Sequence, residues 1–150
     1  MEPLTFQVTV DAADPHTVAR FWADALGWEM EDHDALVRKM LDAGYATTDD
    51  TAEFEGRLCW KTVTAIRHPA DLVSDETGAG RGRRTLFQHV PEPKQVKNRL
   101  HLDVNVGKDQ IDATVARLTS RGAEALYAVD EPGAFHTTMR DPEGNEFCVQ

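Results

Sequence analysis

From Leu4 to Val10 apolar and polar residues alternate, with Phe6, Val8 and Val10 on one side and Thr5, Gln7 and Thr9 on the other. A period of two is that of a half-buried strand, so Gln7 is expected to point away from the apolar layer. Asp14-Pro15 then has the chemistry of a helix start, an acidic N-cap followed by a proline whose missing N–H costs nothing at the first helical position. Val18, Phe21, Trp22 and Ala25 follow at helical spacing, and Gly27 is placed to end the helix. Trp28 to Met30 predicts a short strand. Asp34 to Ala43, with Leu36, Val37, Met40 and Leu41 on one side, predicts a second helix that reads as an insertion. Thr47 to Glu55 reads as an acidic loop, and Arg57 to Ile66 as β-prone around Leu58, Trp60 and Val63. His68 to Arg83, with Pro69, Gly78, Gly80 and Gly82, reads as a long flexible connection. A further strand is expected over Thr85 to Val90, and Pro91 to Lys97 is a proline-bounded linker.

The second half repeats this order. Asn98 to Val106 gives the clearest strand signal, Leu100, Leu102, Val104 and Val106 alternating with His101, Asp103 and Asn105. A helix is expected from about Asp109, carrying Ile111, Val115 and Leu118, with Gly122 just beyond. Leu126 to Val129 and Phe135 to Met139 flank the turn residues Glu131-Pro132-Gly133. Asp141-Pro142-Glu143-Gly144 has the residues of a tight turn leading into a last strand, Glu146 to Gln150. Thr-Val-Ala-Arg occurs both at Thr17 to Arg20 and at Thr114 to Arg117, on the two corresponding helices. The prediction is an α+β fold of two βαβββ modules, residues 1–90 and 98–150, joined by the linker 91–97.

Composition narrows the function classes. The chain has 150 residues, enough for one sizeable core, with 16 Lys and Arg against 26 Asp and Glu. A formal charge of -10 disfavours nucleic acid as a partner. No apolar run approaches the roughly 20 residues of a membrane span. The opening residues lack the basic and apolar regions of a secretion signal, so the cytoplasm is the expected location. Cys59 and Cys148 form no CxxC and are expected to be reduced thiols.

Phe21-Trp22 followed by Leu26-Gly27-Trp28, then Val90-Pro91 with Lys94 and the run Lys97 to Asp103, then Asp141-Pro142-Glu143-Gly144-Asn145, together resemble the glyoxalase/bleomycin-resistance group, the vicinal oxygen chelate superfamily. The resemblance implies an eight-stranded mixed sheet curled into a cup, helices outside, a small-molecule site inside, and a homodimer. In metal-using members one side chain from each of four strands holds a divalent ion, which stabilises charge on two neighbouring substrate oxygens. Carried over residue by residue, those positions are Gln7, then Gln88 or, if the phase is shifted, His89, then His101, and lastly Cys148, where such relatives place Glu. Two amides give little charge to a hard cation and a thiol suits Mg or Mn poorly, so no metal cofactor is expected; if one binds, its candidate ligands are His101, Gln7 and Cys148.

Gln7, Trp60, Gln88, His101, Asp103 and Cys148 are therefore the candidate ligand-binding residues. Asp103, two residues from His101, is placed to orient the imidazole, to act as a base, or simply to be a solvated acid. Trp60, Phe87 and Phe135 read as core aromatics or as pocket walls. Cys148 shows no neighbouring base that would activate its thiol. Lys94, Lys97 and Arg99 are an exposed basic run, or a lure for an anion. Two functions stay open: a small-molecule binding protein with a degenerate metal site, and a metal-dependent lyase, isomerase or dioxygenase acting on vicinal oxygens. The exposed apolar face of the inserted helix, Leu36 and Met40, adds to the expectation of a homodimer.

Overall fold

The computed structural model of the chain describes Leu4 and residues 6–150; Thr5, part of the first alternating run, lies outside the described residues. The backbone divides into two compact units, Met1–Pro91 and Glu92–Gln150.

In the first unit, strand β1 (Val8–Ala12) leads to helix α1 (Pro15–Leu26). The helix starts where the sequence places it: Asp14 accepts from the Thr17 backbone N–H at 3.1 Å, and Gly27 closes the helix at φ 65°. Strand β2 (Glu29–Met30) follows, then helix α2 (Asp34–Asp42), then a hairpin of β3 (Thr51–Phe54) and β4 (Arg57–Trp60), and finally β5 (Val63–Arg67) and β6 (Arg84–His89). The four-stranded sheet runs β1-β6-β5-β2, mixed because β1 and β6 are parallel. Strands β3 and β4 form a separate ribbon, so the segment between β2 and β5 is an insertion in a βαβββ module.

Two expectations change here. The acidic segment expected to be a loop contains strand β3, because Glu55 and Gly56 both take positive φ, 50° and 76°, which turns the chain back so that β4 can pair with it. The connection 68–83 is tied down: Ser74 and Ala79 bond through their backbones, Val73 bridges Gly80, and Asp71 takes Arg83.

The second unit contains β7 (Asp103–Val104), α3 (Ile111–Thr119), β8 (Glu124–Glu131), β9 (Ala134–Arg140) and β10 (Glu146–Val149). Its sheet order, β7-β10-β9-β8, is that of the first module, with first and last strands parallel at the same place. The shared topology carries the duplication; the shared tetrapeptide does not. Thr17 is exposed with Val18 and Ala19 buried, whereas Thr114 is buried with Ala116 exposed, so the two copies turn different sides inward.

The strand expected over 98–106 shrinks to Asp103–Val104. Backbone bonding to β10 begins only at Leu102, whose carbonyl accepts from the Cys148 N–H at 2.9 Å, and Leu100 is 89% exposed, without the apolar layer its alternation implied. Phe87, Ile66, Val18 and Val37 in the first unit, and Phe147, Met139, Val149 and Leu118 in the second, are the largest fully buried side chains among the described residues.

Candidate functional site

In the second unit, register places four side chains in one row across the sheet. Asp103 on β7 pairs with Cys148 on β10, Cys148 with Thr138 on β9, and Thr138 with Tyr127 on β8. The alternate residues of β10 and β9, Phe147, Val149 and Met139, are buried on the opposite face, and α3 packs against β8, β9 and β10. The row therefore lies on the face away from the helix.

His101 joins it from the segment before β7, its Nε2 3.3 Å from Asp103 Oδ1. The donor atoms of His101, Asp103 and Cys148 all lie within 4.8 Å of one another. Cys148 is buried, with its Sγ 3.7 Å from the Thr138 hydroxyl. Burial pushes its thiol pKa up, and the Asp103 carboxylate pushes it further, so the sulfur is held as a thiol.

Thr138 also lines a cavity of about 660 Å³ on this unit, walled by Tyr127, Arg140, Lys94 and Lys97. The proline-bounded linker, whose lysines read as either exposed charge or a lure for an anion, forms one wall of it. Glu146, on the same face of β10 as Cys148, accepts from Lys94 Nζ at 2.9 Å and from the Asn98 backbone N–H at 3.0 Å. Those two donors hold its pKa at about 2, and Lys94 is an anchor as well as a surface charge. Sequence reading passed over Glu146 and Thr138, although alternation about Cys148 and the run Thr137-Thr138 were the available signals.

In the first unit, Gln7 and Gln88 share the sheet face turned away from α1. Gln88 pairs with Asp11, four residues on from Gln7, while His89 falls on the other face, so the open phase resolves to Gln88. The two glutamines are not in contact within this face: Gln7 Oε1 accepts from Arg84, and Gln88 Nε2 donates to Asp11 at 2.9 Å. Trp60 belongs to the β3–β4 ribbon, and its carbonyl accepts from His16 Nε2 at 2.9 Å. That bond commits the His16 Nε2 proton, so the imidazole edge 3.7 Å from Cys59 Sγ is no base for the thiol. Phe87 is core, and Phe135 stacks under Lys108.

The sequence profile of the glyoxalase-like domain matches residues 7–150. The chain belongs to that family. Solved structures share the fold of this glyoxalase-like chain at low identity. Hypothetical protein SA1046 from S. aureus is 11% identical, with TM-score 0.60 over 99% of this chain and 94% of its own. A glyoxalase/bleomycin resistance protein/dioxygenase family enzyme from Burkholderia phytofirmans PsJN is 15% identical, with TM-score 0.58 over 95% of this chain and 94% of its own. A variant of the fosfomycin resistance protein FosX from Listeria monocytogenes, in complex with Mn(II) and 1S,2S-dihydroxypropylphosphonic acid, is 9% identical, with TM-score 0.58 over 100% of this chain and 90% of its own. No curated protein matches the chain. At these identities the likeness speaks for the fold, and the chemistry has to come from the residues.

The residues present do not suit a hard ion of the manganese kind. Of the positions that the family resemblance implies, Gln7 has its only ligating oxygen on Arg84, and Cys148 offers a protonated sulfur, where a hard dication wants charged oxygen donors. The neighbouring set of His101, Asp103 and Cys148 is different in kind: imidazole, carboxylate and sulfur are donors for a borderline ion such as zinc.

Proposed function

We propose that this glyoxalase-like protein binds a small organic molecule, without a resident metal, on the helix-free face of its second module. His101, Asp103 and Cys148 form a polar cluster next to Thr138, which with Tyr127 and Lys97 bounds the cavity. Gln7 and Gln88 are proposed as ligand contacts of the first module's own helix-free face. The observation that carries this reading is the row Asp103, Cys148, Thr138 and Tyr127, which sets hydrogen-bonding groups and an aromatic ring beside a cavity of ligand size. What these side chains do is recognition: His101 and Thr138 present N–H and O–H donors, and Asp103 an acceptor.

The test is a ligand screen by protein-observed NMR, repeated on His101→Ala. Binding by any hit is expected to weaken about tenfold or more, the loss of one hydrogen bond to a charged or strongly polar partner. The exposed His101 side chain should cost little stability. Unchanged affinity in His101→Ala would remove the site from the second module.

A second reading rests on the convergence of three donors within 4.8 Å. His101, Asp103 and Cys148 would hold a zinc-like ion, which when bound supplies Lewis acidity toward substrate oxygens. The chain's own part would be to release the Cys148 proton, which burial and the Asp103 charge oppose. Elemental analysis of protein purified without chelator or nickel resin is expected to find no stoichiometric transition metal. About one zinc per chain, lost in His101→Ala, would establish the metal-dependent lyase, isomerase or dioxygenase class instead.

We further propose a cytoplasmic homodimer. Half-buried Leu36 and Met40 on α2 support the association, and the free thiols Cys59 and Cys148 suit a reducing compartment. Sedimentation equilibrium is expected to give twice the 16.7 kDa chain mass at micromolar concentration; the chain mass itself at high micromolar concentration would refute the dimer.

A further inference from the structure

A polar cluster at the β2 edge of the first sheet has no part in the second-module site. The Glu31 side chain is fully buried and takes four N–H donors: His33 Nε2 at 3.1 Å, Arg84 Nε at 2.8 Å, Arg84 Nη2 at 2.7 Å and the Gly80 backbone at 2.7 Å. His33 has a second contact, its Nδ1 lying 2.6 Å from the Thr77 carbonyl. A carbonyl and an ionised carboxylate only accept, so both ring nitrogens must carry hydrogen: the geometry is that of an imidazolium.

Two of the five contacts reach across to the connection after β5. Residues 74–80 form an internally bonded turn there, Gly78 N–H to the Ser74 carbonyl and Ser74 N–H to the Ala79 carbonyl. This turn sits hard against the segment that carries Glu31 and His33. A Cβ on Gly78, whose φ is +74°, would lie 1.9 Å from the Asp32 carbonyl oxygen, and one on Gly80 would lie 2.9 Å from Arg67 Cβ.

We propose that residues 74–80 are a flap latched onto the Glu31 edge by doubly protonated His33, and that loss of the His33 proton unlatches it. With Nδ1 or Nε2 bare, a lone pair faces either the Thr77 carbonyl or the Glu31 carboxylate, and one contact turns from attractive to repulsive. Arg84 extends the network to Gln7, so the latch bears on the face of the first module that presents Gln7.

The charged groups around His33 are accounted for. On its own segment Asp32 pairs with Arg57 of β4 at 3.1 Å, and Asp34 of α2 is engaged by Arg38 and by the Leu58 N–H. On β5, Arg67 pairs with Glu29; the flap's own Asp75 and Glu76 are exposed. Glu31 and Arg84 act on His33 directly, and the Glu31 bond outweighs burial to raise its pKa above the ordinary 6.5. A raised pKa means that the latch is fully made below pH 6.5 and is lost as pH rises through the His33 midpoint. Only the part of the rise that comes from the Thr77 contact is linked to docking, because Glu31 lies on His33's own segment and stays beside the ring when the flap leaves.

The test is a pH series of 1H–15N spectra on the full chain, with His33 ring resonances followed alongside. The Gly80 and Thr77 to Ala79 amides are expected to move with the His33 midpoint, and their hydrogen-exchange protection to fall above it. In His33→Gln these amides should show no such transition. Gly78→Ala leaves every charge in place but cannot seat the turn, so at pH 6 its flap amides should match the unlatched wild type; this variant serves if His33→Gln fails to fold. Wild-type flap amides that ignore the His33 titration, or a Gly78→Ala spectrum identical to the latched one at pH 6, would overturn the proposal.

Discussion

Glu31→Ala is expected to lose about 3–5 kcal/mol of unfolding free energy at pH 7, the range for breaking a buried ion pair by removing one partner. The mechanism is what the deletion strands. Arg84, its side chain only 20% exposed, would keep its charge in a site built around a carboxylate, His33 would lose the partner that holds its proton, and the Gly80 N–H would lose its acceptor. Burial by itself would raise the Glu31 pKa, but the bonds from His33, Arg84 and Gly80 outweigh it and hold the group at about 2, below the ordinary 4.5. A lowered pKa stabilises the fold above the unfolded value and ceases to do so as pH falls through the folded one. The gap between wild type and Glu31→Ala should therefore be full from about pH 5 up to the His33 midpoint and close progressively between pH 4.5 and about 2. Urea unfolding across that range measures it. Glu53→Ala, on the exposed side of β3, is the control and should stay within about 0.5 kcal/mol. A Glu31→Ala cost as small as that of the control would mean that the cluster is solvated.

Phe147→Ala is expected to cost a similar amount, about 3–5 kcal/mol, for an unrelated reason. Phe147 is 1% exposed on β10, an inner strand of the second sheet, with Met139 as its register partner. Truncation leaves a cavity that two paired strands have no freedom to close. Leu102→Ala, which the alternation of 98–106 would mark as equally severe, should cost clearly less because Leu102 is half-buried, and Leu100→Ala should be near neutral. Denaturant midpoints rank the three. Equal losses for Phe147 and Leu102 would mean that the segment before β7 is a buried strand after all.

These contrasts show where sequence reading reaches. Gln7 was placed on the correct face because β1 has one buried side, and a period of two then fixes every residue on it. The order of elements in both modules was legible for the same reason, and the cap at Asp14 because its chemistry is local. His101 and Asp103 were recognised as neighbours, since two residues apart on an extended segment is proximity. Leu100 misled because alternation reports which side a residue would bury and says nothing of whether a layer is there to receive it. Strand β3 was hidden, although its partner β4 falls in the stretch read as β-prone, because β3 is fixed by pairing across the Glu55-Gly56 turn and lies in an acidic segment. The Glu31 cluster was out of reach for another reason: Glu31 and Arg84 are 53 positions apart, and only strand pairing makes them adjacent.

The two sheets share one order, yet the hairpin between their second and third strands is closed very differently. In the second module Pro132 and Gly133 suffice, whereas in the first the same turn has opened to admit residues 31–62, with α2 and a ribbon of their own. The strand at the start of that turn is an edge in both sheets, so a guest segment displaces no inner pairing. The Pro132-Gly133 turn is thus a grafting position already tried by the fold itself: a binding loop or reporter peptide spliced there should be carried by the second module as the first carries its insertion.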